Sequence, residues 1–275
     1  MCIVDDRDLT ICLDRPATRI IALYGAFNEI LADLGLEHTL VARTQADELP
    51  ESITALPVIG THMRPNPELI LGLGPDLVLQ RAGRAQALDP VQTLEKHGIP
   101  VAVFELSSFA QLCSAMERIG VLTNTTAQAQ ARVDSINTAL DALASTRPAH
   151  APAVFFEVRS PQLVAAGQGS MLTEIMTLAG ARNAVQAPGN LVHINEEEVL
   201  RLDPDIYLVQ RGPMNPNPVP PAVRPHYATL RCTRTNQVFE VDEQLFSRPG
   251  PRSLDAVQQL AELVRAWAKT KETRP

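Results

Sequence analysis

Arg81, Arg84, Arg159, Arg211, Arg248 and Arg252 follow apolar runs or lie in a proline-stiffened loop, where a chain of formal charge −7 has little other reason to collect cations. A guanidinium binds an anion by a forked pair of hydrogen bonds, so the pattern points to an anionic ligand. Two or three of these arginines are expected to touch it, the rest being solvated or paired with local acids. Tyr24 and Gly25 follow the first apolar run, and Gly25 lets a ligand approach the backbone. Gly167, Gln168, Gly169 and Ser170 precede a helical pattern, and the free amides of a helix start suit an anion. Phe246, with Tyr207 and Tyr227, is a candidate for flat contacts. His62, in "GTHMR", carries an imidazole able to coordinate iron or cobalt; plain exposure is its simpler reading. His193 is a second, weaker candidate.

Part of this chemistry is written twice. "THMRPNPELILGLGPDLVLQR" (Thr61 to Arg81) and "HINEEEVLRLDPDIYLVQR" (His193 to Arg211) each hold a Glu, six residues, Pro-Asp, an apolar run and Gln-Arg, 129 residues apart. Proline ends the helix before it and restricts its neighbour, so each unit reads as helix, turn and strand. Gln80-Arg81 and Gln210-Arg211 then sit at strand carboxyl ends, where open α/β sheets bind ligands. Asp76 and Asp205 read as turn formers. Glu68 and Glu197 fall at helix starts, where the dipole favours a carboxylate and capping alone is a sufficient explanation.

The elements around these residues alternate. "RIIALY", "LPVIG", "GIPVAVFEL", "AVFFEV" and "QVFEVD" are strand-like and are separated by amphipathic helical patterns, which predicts parallel sheets covered by helices. Residues 125 to 146 interrupt the alternation with a helix free of Gly and Pro. The expected fold is therefore α/β, with two Rossmann-like lobes (1–122 and 148–275) joined by one long backbone helix (123–147) and a ligand cleft between lobes. One continuous sheet bearing a long helix is the alternative. The segment "GPMNPNPVPPAVRP" is expected to be extended and irregular.

Composition narrows the class. The 275 residues are 45% hydrophobic and 20% charged, ordinary for a globular chain. With an acidic balance and no dense basic tract, nucleic acid is not an expected partner. No apolar run approaches the ~20 residues of a membrane span. "MCIVDDRDLTICL" lacks the basic start and apolar core of a signal peptide, so either the protein is cytosolic or an export segment is not included. Cys2, Cys12, Cys113 and Cys232 form no metal spacing. Two buried thiols are expected at Cys2 and Cys12, with a disulfide across the "DDRD" turn as the alternative. No phosphate-binding Walker loop, nucleophile elbow or dinucleotide fingerprint is present, so the reading is not an enzyme; a two-lobed metal chelatase is the rival of another class.

The order and spacing of "RIIALYGAFNEILADLGL", "LPVIGTHMRPNPELILGLGPDLVL", the long helix, "GQGSMLTEIMTLAGARN", "INEEEVLRLDPDIYLV" and "FSRPGPRSLDAVQQLAELV" resemble the helical-backbone substrate-binding proteins of ABC importers, over nearly the whole chain. The resemblance implies capture of a metal chelate (ferric siderophore, haem or corrinoid) in the interlobe cleft, with the metal reached through the chelate by His62 and no intrinsic cofactor. An oxyanion such as molybdate or tungstate, or a bare metal ion, is the alternative within the same family. It also implies a monomer whose partners are an ABC permease and its ATPase, docked through Glu68 and Glu197; Glu196 and Glu198 leave the second register open by one. The location implied is periplasmic or membrane-anchored outside the cytoplasm, which leaves Cys2 as a lipid-attachment site, half of a disulfide or a free thiol. Haem-binding relatives carry Tyr where this chain has His62, a departure that weakens transfer of the haem assignment.

Overall fold

The computed structural model describes residues 1–83 and 89–272. It divides into two compact units, Met1–Ile136 and Asn137–Pro275, the boundary falling inside the long helix rather than on either side of it.

The first unit opens with the hairpin β1 (Cys2–Val4) and β2 (Thr10–Cys12), followed by β3 (Ile20–Ala22), α1 (Gly25–Asp33) and β4 (Leu40–Ala42). A small hairpin, β5 (Gly60–Thr61) and β6 (Arg64–Pro65), leads into α2 (Pro67–Leu73) and β7 (Leu77–Arg81). Then come α3 (Asp89–Lys96), β8 (Val101–Phe104), α4 (Phe109–Thr123) and α5 (Thr126–Ala144). Strands β4, β3, β7 and β8 pair in that order, all parallel. Their residues are buried on both faces, as continuous runs such as "VAVF" require. Chain order reverses between β3 and β7, so their carboxyl ends flank the topological switch point.

Strand β8 is an edge, and the N-terminal hairpin covers it. Val103 N donates to Asp5 Oδ2 (3.1 Å), Asp6 N to Val103 O (3.0 Å), Arg7 Nη2 to Val101 O (2.9 Å) and Glu105 N to Asp6 Oδ2 (2.6 Å). The "DDRD" turn thus occupies groups that an open edge would offer to another chain. Cys2 and Cys12 face each other in the register of β1 and β2 and form a disulfide, Cα–Cα 4.2 Å. The expectation of two buried thiols is corrected: Ile3 and Leu13 turn inward, which places both cysteines on the exposed face. Cys113 and Cys232 are the buried thiols.

The second unit comprises β9 (Ala153–Arg159), β10 (Val164–Ala166), α6 (Met171–Leu178), β11 (Arg182–Asn183), β12 (Leu191–His193), α7 (Glu196–Leu202) and β13 (Ile206–Arg211), then α8 (Arg231–Arg234), β14 (Val238–Asp242), α9 (Glu243–Phe246) and α10 (Ser253–Glu272). Its sheet runs β12-β10-β9-β13-β14, with β11 also on β9. Strands β9, β13 and β14 are parallel. Strand β10 runs antiparallel to both neighbours, which leaves β12 as the edge, a pairing that "LVAAG" and "LVH" are too short to announce. Phe155, Tyr207 and Tyr227 lie at the centre of the core on one face.

Candidate functional site

The repeated segment folds the same way in both units. Asn66 and Asn195, again 129 residues apart, are the N-caps of α2 and α7. Asn66 Oδ1 accepts from Glu68 N (3.0 Å) and Leu69 N (3.3 Å), and Asn195 Oδ1 from Glu198 N (2.8 Å). Asparagine therefore does the capping, which leaves Glu68 and Glu197 as exposed second residues of their helices with no described partner. Glu198 is tied to Arg201 (Nε–Oε2 2.7 Å), which holds its carboxyl below the usual range. Glu197 is thus the structural counterpart of Glu68. The asparagines were readable in "PNPE" and "INEEE" as side-chain caps, a signal the sequence reading passed over. Both helices end in a left-handed residue, Gly74 (φ 58°) and Asp203 (φ 39°). Asp76 then accepts from Thr18 N (2.9 Å) and Arg19 N (2.9 Å), and Asp205 from Ala153 N (3.0 Å). Each Asp braces the entry of the neighbouring parallel strand, not only its own turn.

In the first unit the predicted residues converge. Tyr24 follows β3 and precedes α1, Arg81 ends β7, and the Arg81 Cζ lies 5.3 Å from the Tyr24 ring centroid. His62 and Met63 form the two-residue tip of the β5–β6 hairpin, and the His62 ring meets Tyr24 edge-on with centroids 6.1 Å apart. Gly60 makes that hairpin possible: its φ is +102°, and a Cβ there would lie 2.6 Å from Arg64 O. Arg81 Nε is buried without a hydrogen-bond partner among the described residues. A buried cationic donor left unmet is costly unless a ligand meets it. Gly25 is buried as the first residue of α1, behind Tyr24. Arg84 lies outside the described residues.

The second unit sorts its candidates differently. Arg159 ends β9, and its Nε is likewise buried and unmet among the described residues. Arg211 is not the twin of Arg81: its Nε and Nη2 pair with Glu240 (Nη2–Oε2 2.8 Å), and Nη1 donates to Pro216 O (3.3 Å). Register sets this, since β14 lies alongside β13 and carries Glu240 opposite Val209. The Glu240 carboxyl is held below its usual range by that hydrogen bond. The anion cradle expected at Gly167–Ser170 is corrected as well. The four amides donate to Asn190 O, Ala187 O, Gly189 O and Gly167 O. Gln168 Nε2 holds Val185 O (2.7 Å), and Ser170 caps α6 by accepting from Thr173 N (3.3 Å). Phe246 is also a structural residue: it is 1% exposed, with its ring centroid 5.8 Å from that of Phe156. Arg248 and Arg252 are half-buried on either side of the "PGP" turn before α10. Tyr207 and Tyr227 are fully buried.

A charge pair beneath this end of the sheet was not anticipated. Glu157, fully buried on β9, receives Arg224 Nη1 (2.5 Å) and Nη2 (2.7 Å) and the Tyr207 hydroxyl (2.6 Å). Sequence gave no cue, because the partners are 67 residues apart.

The comparisons with known proteins agree with this architecture. A family described as "Periplasmic binding protein" matches residues 20–261. An uncharacterized ABC transporter substrate-binding lipoprotein of Bacillus subtilis, YvrC, is 26% identical over 95% of this chain and 84% of its own length. A vitamin B12-binding protein of Pectobacterium carotovorum is 25% identical over 88% of this chain and 86% of its own. Among solved structures, the molybdate periplasmic binding protein MolA of Haemophilus influenzae superposes with TM-score 0.82 at 19% identity, over 98% of this chain and 93% of that one, a likeness of fold.

Proposed function

We propose that this chain, which belongs to the periplasmic binding protein family, captures a metal chelate (ferric siderophore, haem or corrinoid) and delivers it unchanged to the permease of an ABC importer. The observation that carries the reading is Arg81, stacked on Tyr24 beside His62 at the switch point, with a buried Nε still lacking an acceptor. A chelate with peripheral anionic groups supplies that acceptor, and the Tyr24 ring and the imidazole suit its larger metal-bearing body. The metal is cargo, and the protein carries no cofactor of its own. The Cys2–Cys12 disulfide supports work outside the cytoplasm, because exposed disulfides persist in oxidising compartments; the chain is proposed to act there as a periplasmic or membrane-anchored monomer. Glu68 and Glu197, freed from capping by their asparagines, are the proposed contacts to arginines of the permease.

The test is a titration of the intact chain with haemin, cobalamin, a ferric hydroxamate, molybdate and bare Zn²⁺. Stoichiometric binding of one chelate without turnover is expected, and if haemin binds, its Soret shift should be lost in His62→Ala. Binding of molybdate or bare Zn²⁺ alone, or conversion of the ligand, would overturn the reading. Glu68→Ala with Glu197→Ala should keep ligand affinity and abolish uptake; a loss of affinity would move both acids into the ligand site.

A further inference from the structure

In the first unit, the N-terminal hairpin reaches the Tyr24–Arg81 pair through a run of packed rings. On α4, Arg118 Nη1 donates to Val4 O (3.0 Å) and Asp6 Oδ1 (2.7 Å) of the hairpin, and its Nε donates to Ser114 O (3.2 Å). With acceptors on two different elements, the guanidinium has little freedom to turn. Its Cζ lies 4.7 Å from the centroid of the Phe104 ring, within reach of a cation–π contact. Asp6 also braces the backbone on either side of Phe104, as Asp6 N donates to Val103 O and Glu105 N to Asp6 Oδ2. The hairpin thus holds Phe104 by its ring, through Arg118, and by its neighbouring peptides.

Phe104 in turn sets both members of the pair. It lies opposite Arg81 in the register of β7 and β8, and its carbonyl accepts from Ala82 N (2.7 Å), the residue after Arg81. Its ring packs against Phe27 with centroids 5.8 Å apart, and Phe27 meets Tyr24 edge-on at 6.4 Å. Phe27 and Phe104 are both 0% exposed. A close-packed interior has no void to absorb a displacement, so a shift of one such ring is passed to the next. Arg81 is therefore placed by the Phe104 backbone and Tyr24 by the Phe104 ring. Their separation, and the aim of the buried Arg81 Nε, depend on where Phe104 sits.

We infer that Arg118 is a positioning residue for the ligand site: clamped by the disulfide-closed hairpin, it sets Phe104 and through it the Tyr24–Arg81 pair. This rests on the chelate reading above and adds to it a residue that acts on affinity through Phe104 and Phe27. The route is contiguous, lies within one unit and consists of contacts of known geometry, which is the physical requirement for coupling of this kind.

The experiment compares Arg118→Met and Arg118→Lys with wild type in the intact chain, each well below its own melting temperature. The Arg118 side chain is 20% exposed, so Met in its place opens no internal cavity. The first readout needs no ligand: the ring-proton resonances of His62, assigned by their loss in His62→Ala, report the Tyr24 ring that His62 meets edge-on. The second is affinity for haemin, cobalamin and a ferric hydroxamate. Arg118→Met should move the His62 resonances and weaken the chelate that binds by about threefold to thirtyfold, the range a lost cation–π contact allows. Arg118→Lys keeps a cation at the ring and should recover most of both. Wild-type resonances and affinity in Arg118→Met, even with a lower Tm, overturn the positioning role and leave the chelate reading intact. So does a moved His62 with unchanged affinity, or a Lys variant no better than Met. If wild type binds no chelate, the chelate reading fails by itself, and the His62 resonances still decide whether Arg118 places Tyr24: unmoved resonances overturn that. Should Arg118→Met not fold, Asp6→Asn takes its place, keeping an oxygen for Glu105 N while removing the counter-charge of Arg118. Smaller changes of the same sign are then expected, and wild-type values refute the inference.

Discussion

Replacing Glu157 by Gln tests the buried pair directly. The Glu157 side chain is 0% exposed and that of Arg224 7%, so neither charge is relieved by solvent. Gln keeps the shape and a carbonyl acceptor but leaves the guanidinium without a counter-charge. Removing one partner of such a pair costs about 3–5 kcal/mol. The second unit has roughly 140 residues, and unfolding entropy of about 2.1 cal/mol/K per residue gives about 0.3 kcal/mol/K. The unit's Tm should therefore fall by about 10–17 °C, read by calorimetry on the intact chain. Glu157→Gln with Arg224→Met removes both charges and should recover most of that loss, since an apolar replacement is close to neutral. Limited proteolysis should cut the single variant within 212–224, because Arg224 no longer holds the segment to β9. A Tm within about 3 °C of wild type, or a double variant no better than the single, would refute the assignment of this pair as the anchor.

Gly60→Ala should destabilise the β5–β6 hairpin by about 1–3 kcal/mol, as it combines φ +102° with a 2.6 Å approach to Arg64 O; a normal melt and normal ligand affinity would contradict this. Cys2→Ser/Cys12→Ser should lower stability by about 2–3 kcal/mol, the loop-closure value for a separation of 10 residues, and should speed hydrogen exchange at Val103 and Glu105 on the edge of β8. Unchanged exchange there would mean that the hairpin holds without its staple. At alkaline pH the signs are set by burial, which pushes the Cys232 thiol up to about 11 and raises the Tyr207 phenol well above its ordinary value. The neutral Cys232 thiol contributes stability that is fully present below about pH 9 and lost as pH rises through about 11. Tm should fall across this window and fall less in Cys232→Ala; a flat profile would refute the linkage.

Sequence by itself determined the class of this protein and the positions of part of its candidate site. Alternating apolar runs, the helix at 126–144 and the repeated Glu–Pro-Asp–Gln-Arg unit follow from local rules, because periodicity, proline geometry and capping act over a few residues. Tyr24, His62 and Arg81 were legible for the same reason: each lies at the end of an element the pattern already defined. What the sequence had no means of separating was Arg81 from Arg211, two residues in the same dipeptide after equivalent strands. Glu240 decides between them, and only the pairing of β14 with β13 brings it there. Phe246 entered the core, the Gly167, Gln168 and Gly169 amides turned to the 187–190 loop, and Glu157 found Arg224 for the same physical reason. Those contacts join residues distant in the chain, and no local rule states which distant group reaches a given donor first.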